Sequence, residues 1–267
     1  MQETTVLQPA VVDGAFGYVY AIGQLQARFP TADIEKEFTQ VLAGMDTSGK
    51  NDAELRYEVL SKAENAYLAR EMSWILVINN MDAFQVEPRS TLELGDMVEA
   101  IKPSSAEQVY DVVIGTQEPL AGGDLKWVVC NRIFHFKAQE FAASVPKPQG
   151  AGADFEQAVL DMLVQMQQFT QSPGETRRQR AINYVALQYP EVYALKWQLM
   201  NPTDGSAAKS FSDLQSATPA MSDGREMVDL IFCFTDRSSG VVDRYYTTVD
   251  VTGQFPFLAN KLQPYVG

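Results

Sequence analysis

The sequence contains a single histidine, His135, among its 267 residues. One histidine excludes every site that needs two, including the two-histidine zinc motif of metalloproteases. A Ser-His-Asp or Cys-His catalytic apparatus would have to use His135 itself. It lies in the apolar segment Ile133-Phe134-His135-Phe136, which predicts a hydrogen-bonded structural residue, with a catalytic base as the alternative.

Cysteine is nearly as scarce, with Cys130 and Cys233 alone. Two cysteines are too few for a disulfide scaffold, so we expect a cytoplasmic protein with reduced, buried thiols. A zinc site built from Cys130, His135 and Cys233 would need a carboxylate or water as its fourth ligand. Residues 130 and 135 point to opposite faces of a regular strand, and only a bulge would bring them together. We therefore predict no metal site and no cofactor.

Basic residues are outnumbered, at 21 against 34 acidic ones, which gives a formal net charge of −13. Such a field repels phosphates and anionic lipid headgroups, so we expect neither a nucleic-acid nor a membrane partner. No stretch approaches the roughly 20 apolar residues that cross a bilayer, and no secretory signal is visible. The local exception is Arg177, Arg178 and Arg180. It predicts a solvated first turn of a helix, with a phosphate- or carboxylate-binding patch as the alternative.

Motifs for phosphate binding and acid–base chemistry are also missing. The spacing of Gly14, Gly17 and Gly23 matches neither the dinucleotide fingerprint nor the P-loop, so turn or bulge glycines are the better interpretation. Acid–base catalysis needs two carboxyl groups whose pKa values are pushed apart, and the sequence singles out no such pair. The carboxylates on predicted elements include Glu35, Glu37, Asp111, Asp229, Asp243 and Asp250. No catalytic, cofactor-binding or metal-binding residue is assigned.

What the chain has is a complete globular pattern, with 46% hydrophobic and 21% charged residues. Strands and helices occur in blocks rather than as repeated βαβ units, which predicts an α+β fold of mostly antiparallel strands with several packed helices. Strands are predicted at 16–25, 74–78, 83–87, 109–116, 126–136, 194–200, 226–236 and 241–251. Helices are predicted at 32–42, from 52 to 67, from a capping box at Ser90 to 101, at 154–169 and at 175–189.

The predicted domain organisation is a flexible lead-in, residues 1–15, followed by a single α+β domain, residues 16–267. The Pro- and Gly-rich linker 146–153 would divide that domain if it has two lobes. Beyond the linker, Met162 and Met166 continue an apolar stripe that predicts a core-facing helix. An adaptable peptide-binding surface and a dimer seam are the alternatives.

Several segments carry a family resemblance. They are Phe16 to Gly23, Arg28-Phe29-Pro30, Glu35 to Phe38, Asn183 to Pro190, Val228 to Phe232, Val249 to Thr252, Phe255 to Leu258, Lys261-Leu262 and Pro264-Tyr265. Together they resemble the C-terminal domain of unknown function found in cyanobactin maturation proteases of the patellamide-macrocyclase type. The resemblance runs from Phe16 to Tyr265.

The resemblance implies a context and no mechanism. The parent proteins carry a subtilisin-like protease that cleaves or macrocyclises a ribosomal precursor peptide, and this chain does not resemble that protease. We therefore expect a non-catalytic accessory domain that binds the precursor peptide or another maturation enzyme, or holds a homodimer. A free strand edge could take up an extended peptide by β-augmentation. The alternatives are a small tailoring enzyme with dispersed catalytic residues and a purely structural stabilising domain.

Overall fold

The computed structural model describes residues 17–104, 108–118, 125–152, 154–170, 173–219 and 224–265. Within them the fold is α+β, as predicted, with nine strands and eight α-helices. The strands are β1 Tyr18–Arg28, β2 Ser73–Ile78, β3 Met81–Pro88, β4 Val109–Glu118, β5 Lys126–Lys137, β6 Lys209–Ala217, β7 Met227–Asp236, β8 Val242–Asp250 and β9 Phe257–Pro264. The helices are α1 Ala32–Leu42, α2 Asp52–Leu60, α3 Ala66–Glu71, α4 Thr91–Ala100, α5 Ala138–Ser144, α6 Asp154–Thr170, α7 Arg177–Gln188 and α8 Glu191–Met200.

The first five strands form a closed barrel in the order β1-β2-β3-β5-β4. Strands β3 and β5 run parallel, and the other pairs are antiparallel. Strand β1 is long enough to serve two neighbours: Tyr18 to Gly23 pair with β4, and Gln24 to Arg28 pair with β2. This order, with α4 between β3 and β4, is the connectivity of an OB-type Greek-key barrel.

Glycine allows the barrel to close where the strands come too near for a side chain. A Cβ atom on Gly23 would lie 2.5 Å from the carbonyl oxygen of Val77, and one on Gly115 would lie 2.3 Å from that of Val129. Gly115 also follows the register shift between β4 and β5. Bulges and glycines of this kind let a sheet bend sharply enough to close. Gly23 itself lies inside β1, whose two pairings have no register shift, so it is a close-approach glycine rather than the predicted turn or bulge glycine; Gly14 lies outside the described residues.

The barrel interior is one of two hydrophobic cores. Trp74, Leu76 and Phe84 fill it from the strands. The three helices between β1 and β2 bury Phe38 and Leu68 against the same cluster, and α4 adds further apolar side chains. An ordinary OB-type connection is thus replaced by a helical cap over one end of the barrel.

The second core joins the outer face of the barrel to the C-terminal half. Strands β6 to β9 form a four-stranded antiparallel sheet in sequential order. Helix α7 contacts both β1 and β7, so it lies between barrel and sheet. Side chains such as Tyr20, Met162, Val185 and Phe232 share this core. Residues on both sides of the linker 146–152 thus pack together.

One predicted strand is wrong. Residues 194–200 belong to α8 and not to a strand. The alternation of Leu195, Trp197 and Leu199 covers too few residues to distinguish the two-residue period of a strand from the 3.6-residue period of a helix. The buried side chains are Val192, Tyr193 and Lys196, at helical spacing, and the surrounding Ala, Leu, Lys, Gln and Met residues favour a helix.

The predicted helix from 52 to 67 is also wrong as a single element. Helix α2 ends at Leu60, a 3-10 turn spans Ala63–Asn65, and α3 begins at Ala66. The buried Asn65 side chain donates a hydrogen bond to the carbonyl of Val59, 2.9 Å away, which satisfies a carbonyl at the end of α2. Tyr67, the last residue of the predicted helix, lies in α3 and is exposed.

The capping box at Ser90 forms in altered form. The Ser90 hydroxyl accepts from the backbone N–H of Leu92, the second residue of the helix, and donates to the Glu93 carboxylate. Helix α5 and strands β6 and β9 had no counterpart in the sequence-based prediction. No described helix has both the length and the apolar character needed to span a membrane.

Candidate functional site

The soft metal ligands lie apart in the fold. Cys130 points into the barrel core, whereas Cys233 lies in the four-stranded sheet. Burial raises the pKa of the Cys130 thiol to about 12 and raises that of Cys233 as well. His135 is exposed on β5, and none of the described residues hydrogen-bonds to its ring, so the predicted structural role is wrong. Within the described ranges no three His, Cys, Asp or Glu side chains converge to hold a metal ion.

The three arginines at the start of α7 form hydrogen bonds and an ion pair with distant parts of the same chain. Arg178 donates to the carbonyls of Phe169 and Leu214 at 3.4 and 3.0 Å. Arg180, 3% exposed, donates to the carbonyl of Val251 at 2.9 Å and to that of Gly253. Arg177, at the surface, pairs with Glu226. The predicted solvated turn is therefore wrong for Arg178 and Arg180, because chain carbonyls replace water around both guanidinium groups.

The methionine stripe of α6 is core. Met162 and Met166 are fully buried between the barrel and the sheet. The prediction of a core-facing helix is confirmed. An adaptable peptide-binding surface or a dimer seam would need these side chains to be accessible.

Most of the carboxylates named from the sequence have ordinary roles. Asp229 accepts from the Thr248 hydroxyl at 2.6 Å, and Asp243 pairs with Lys209. Asp250 pairs with Arg225 at 3.2 Å. Glu35 and Glu37 are exposed on α1. Asp250 and Asp111 are both buried, and each has one oxygen atom without a hydrogen-bond partner. Asp111 differs in lying at one end of the barrel, where no ion pair to its carboxylate is formed among the described residues.

Both outer strands of the four-stranded sheet are partly closed to an added strand. On β9, the backbone N–H groups of Leu258 and Leu262 donate to the hydroxyls of Tyr184 and Tyr189, at 3.2 and 2.8 Å. Tyr184 lies in α7, and Tyr189 directly follows the last residue of that helix. Occupied edge groups of this kind prevent strand addition, which argues against β-augmentation at this edge.

Strand β6 is closed at its centre. The N–H of Leu214 donates to the Asp213 carboxylate at 2.8 Å, and the carbonyl of Leu214 accepts from Arg178. The barrel itself has no free edge, since β1 returns to β4. These contacts favour recognition of a peptide through side-chain pockets over extension of a sheet.

A recess of about 410 Å³ opens between the barrel and the C-terminal half. We call it the aromatic recess, and its lining residues are Tyr20, Ile114, Arg132, Phe134, Tyr184, Gln188, Phe255 and Pro256. Its volume falls within the usual range of small-ligand pockets. Four of the eight residues are aromatic.

The strand register builds one wall of the aromatic recess. Tyr20 on β1 is paired with Ile114 on β4, and Ile114 is paired with Arg132 on β5. Cross-strand partners point to the same side of a sheet, so these three side chains form a row on the outer face of the barrel. Phe134, two residues beyond Arg132, lies on the same face.

Helix α7 builds the opposite wall. The backbone of Tyr20 is held on its open side, where its N–H donates to Gly174 and its carbonyl accepts from the Asn183 amide, at 2.9 and 2.8 Å. This contact brings Tyr184 and Gln188, one turn apart, over the barrel row. Burial raises the pKa of Tyr20 to about 12, and the Gln188 amide partly offsets this.

The rim supplies the chemistry of the aromatic recess. Phe255 is 53% exposed, so part of its ring is accessible at the mouth of the recess. Arg132 is exposed, and no described side chain pairs with its guanidinium group. A flat apolar wall beside an unpaired guanidinium can hold an apolar side chain and donate hydrogen bonds to a neighbouring carbonyl or carboxylate.

No motif in the sequence predicts the aromatic recess. Its residues come from five separate parts of the chain, and no local motif connects them. A usable signal was nevertheless present, because three of the segments that carry the family resemblance line it: Phe16 to Gly23, Asn183 to Pro190 and Phe255 to Leu258.

The fold and the recess define an α+β domain in which an OB-type barrel and a four-stranded sheet enclose a helical layer, with a ligand-sized recess between the two halves. The chain belongs to the PatG Domain family, whose model matches residues 18–220. This membership confirms the resemblance to that domain of unknown function. No curated protein matches the sequence.

One solved structure, a "PatG Domain of Unknown Function", has a similar fold. It superposes with a TM-score of 0.72 at 17% sequence identity, over 93% of this chain and 98% of that one. At this identity the likeness shows the fold alone. The aromatic recess and its side chains are therefore described from this chain only.

Proposed function

We propose that this chain is a non-catalytic, peptide-binding accessory domain of a cyanobactin maturation protease. In this proposal the aromatic recess holds an apolar side chain of the precursor peptide, and Arg132 donates to a carbonyl or carboxylate beside it. The observation that carries the proposal is the recess itself, with its exposed Phe255 and its unpaired Arg132.

Two further features support it. The family name connects the domain to a pathway whose substrate is a ribosomal peptide, and three resemblance segments meet at the recess. The partly closed strand edges also favour side-chain pockets over strand addition as the route for peptide recognition. Aromatic and arginine side chains are also the residues that dominate binding energy in peptide and protein interfaces.

The experiment is a calorimetric titration of the chain with the full precursor peptide, with its leader alone and with its core alone. We expect saturable binding of the full peptide and of one of the two parts. Phe255→Ala and Arg132→Gln should each weaken that binding by about tenfold or more, since central contacts of this kind contribute upwards of roughly 1.4 kcal/mol.

Matched controls separate recognition from general surface effects. Tyr67→Ala removes an aromatic ring of similar exposure on α3, and Arg70→Gln removes an exposed guanidinium from the same helix. Neither should change the affinity. Absence of binding by all three peptides, or equal affinity of parent and both recess variants, would refute the proposal.

A further inference from the structure

Arg132 provides the only charge among the side chains that line the aromatic recess. Its side chain is exposed, and the described residues offer its guanidinium group neither an ion pair nor a hydrogen bond. Its register partner on β4, Ile114, also lines the recess and is 3% exposed. A solvated positive charge therefore lies beside a buried apolar side chain on the same face of the barrel.

The rest of the lining separates into a buried floor and an accessible rim. Tyr20 and Pro256 are buried, whereas Gln188 and Phe255 are exposed. The Gln188 amide interacts with the Tyr20 hydroxyl, so these two polar groups already have each other as partners. An apolar group that enters past Phe255 is covered by aromatic rings without meeting a second charge.

A wholly apolar ligand does not suit this arrangement. It would remove water from the guanidinium group of Arg132 without replacing the lost hydrogen bonds, which costs binding energy. A carboxylate replaces them with two parallel, charge-assisted hydrogen bonds, because the planar guanidinium group matches its geometry. A ligand with several carboxylates is disfavoured by the net charge of −13. The recess thus suits an apolar group with one carboxylate beside it.

We propose that the aromatic recess selects an apolar side chain with a single carboxylate beside it, and that Arg132 binds this carboxylate. The proposal rests on the peptide-binding function proposed above and commits it to one chemistry. A peptide offers that chemistry at a C-terminal apolar residue, whose side chain and α-carboxylate share one Cα atom. It offers the same chemistry where an aspartate or glutamate adjoins an internal apolar residue.

The test is a calorimetric titration of the full chain, at up to millimolar ligand, with acetylated tripeptides. Two alanines are followed by phenylalanine or leucine, and each peptide is used as the free acid and as the amide. We expect the free acid to bind at least about tenfold more tightly than its amide. Acetylated trialanine, which keeps the carboxylate but has no large apolar side chain, should bind at least about tenfold more weakly than the phenylalanine acid.

A fourth kind of peptide distinguishes the two sources of the carboxylate. It is an acetylated amide in which aspartate precedes the phenylalanine. If it binds as tightly as the free acid, the recess accepts internal sequences as well as C-termini. If it binds only as weakly as the uncharged amide while the free acid binds tightly, the ligand is a C-terminus. Either result supports the proposal.

Arg132→Gln should lower the affinity of the free acid to that of the amide. A general loss of structure would instead weaken both peptides and keep their ratio. Arg70→Gln, which removes an exposed guanidinium group from α3, should leave the preference for the carboxylate unchanged. The proposal is overturned if no carboxylate-bearing peptide binds more tightly than its uncharged counterpart, or if Arg132→Gln retains the preference.

Failure of this proposal is distinct from failure of the proposed function. If the precursor peptide binds the parent and loses affinity in Arg132→Gln while acids and amides bind equally, Arg132 donates to a peptide carbonyl. The proposed function then stands, and the preference for a carboxylate alone is refuted. If the precursor peptide and its two parts do not bind at all, the proposed function itself is refuted.

Discussion

The carboxylate of Asp111 accepts a hydrogen bond from the backbone N–H of Leu25 at 2.6 Å, where β1 changes partner from β4 to β2. A backbone donor released by that change is satisfied by a buried side chain. The other oxygen atom of this carboxylate, Oδ1, has no hydrogen-bond partner. Other charged or titratable groups lie near this end of the barrel. Arg56 and Lys102 line a cavity together with Asp111, and His135 on β5 is the register partner of Asp111.

Asp111→Asn should stabilise the protein increasingly as the pH rises. The folded state holds the Asp111 proton with a pKa of about 7, whereas an unfolded aspartate titrates near 3.9. Ionisation of Asp111 therefore costs folding free energy that grows as the pH rises toward 7, up to roughly 4 kcal/mol. Below about pH 4 that cost is absent. Asparagine does not ionise, and its Oδ1 atom can still accept from Leu25.

The measurement is urea unfolding of parent and variant between about pH 4 and 8, the interval in which most of this cost develops. The difference in unfolding free energy should move in favour of Asp111→Asn by a few kcal/mol across that range. Asp96→Asn reports the effect of removing one exposed charge. Parallel pH profiles for parent and Asp111→Asn would contradict the prediction.

Gly23→Ala should destabilise the barrel by about 1–3 kcal/mol, the usual cost of an overpacked core. The added Cβ atom would lie 2.5 Å from the Val77 carbonyl oxygen and 2.9 Å from a side-chain carbon of Ile78. The backbones of β1 and β2 could move apart to make room for the added atom only by breaking the hydrogen bonds between these strands. Thermal unfolding measures the effect. Gly95→Ala in α4, where nothing lies within 4 Å of the added atom, should instead stabilise by up to about 1 kcal/mol.

Much of the fold could be predicted because many of its helices and strands have a clear hydrophobic pattern within their own residues. The continuous apolar run of β2 and the four-three spacing of α6 are examples. Strand β9 could not be predicted, because most of its side chains are exposed. Only β8 and the tyrosines at 184 and 189 define it as a strand. Residues 194–200 show the opposite failure, where a short alternation imitated a strand that tertiary packing did not form.

The candidate sites were less accessible to sequence analysis. Asp111 was one carboxylate among many until the barrel register buried it beside Gly23 and His135. Arg132 and Phe255 are 123 positions apart, and nothing local relates them. The arginines of α7 looked solvated because the carbonyls that they bind belong to distant parts of the chain, in β6 and after β8. In each case the missing information was which distant parts of the chain pack together.

Tyr189→Phe should expose the edge of β9. The N–H of Leu262 would lose its acceptor, which costs about 1 kcal/mol. We expect faster hydrogen exchange at the Leu262 amide, measured by NMR, and a small drop in the unfolding free energy. Tyr67→Phe, which removes an exposed hydroxyl on α3, should change neither. Unaltered exchange at Leu262 would show that the hydroxyl does not protect this edge.

Arg180→Met should be the most damaging of the α7 arginine substitutions. Burial lowers the pKa of Arg180, and its guanidinium group compensates by donating to the carbonyls of Val251 and Gly253. Methionine retains the apolar part of the side chain but leaves those carbonyls without a donor, for an expected loss of about 2–4 kcal/mol. Arg177→Met removes an exposed ion pair with Glu226 and should cost less than about 1 kcal/mol. Urea unfolding of both variants separates the two roles. Equal losses would mean that the guanidinium of Arg180 holds the 251–254 turn no more firmly than a surface ion pair would.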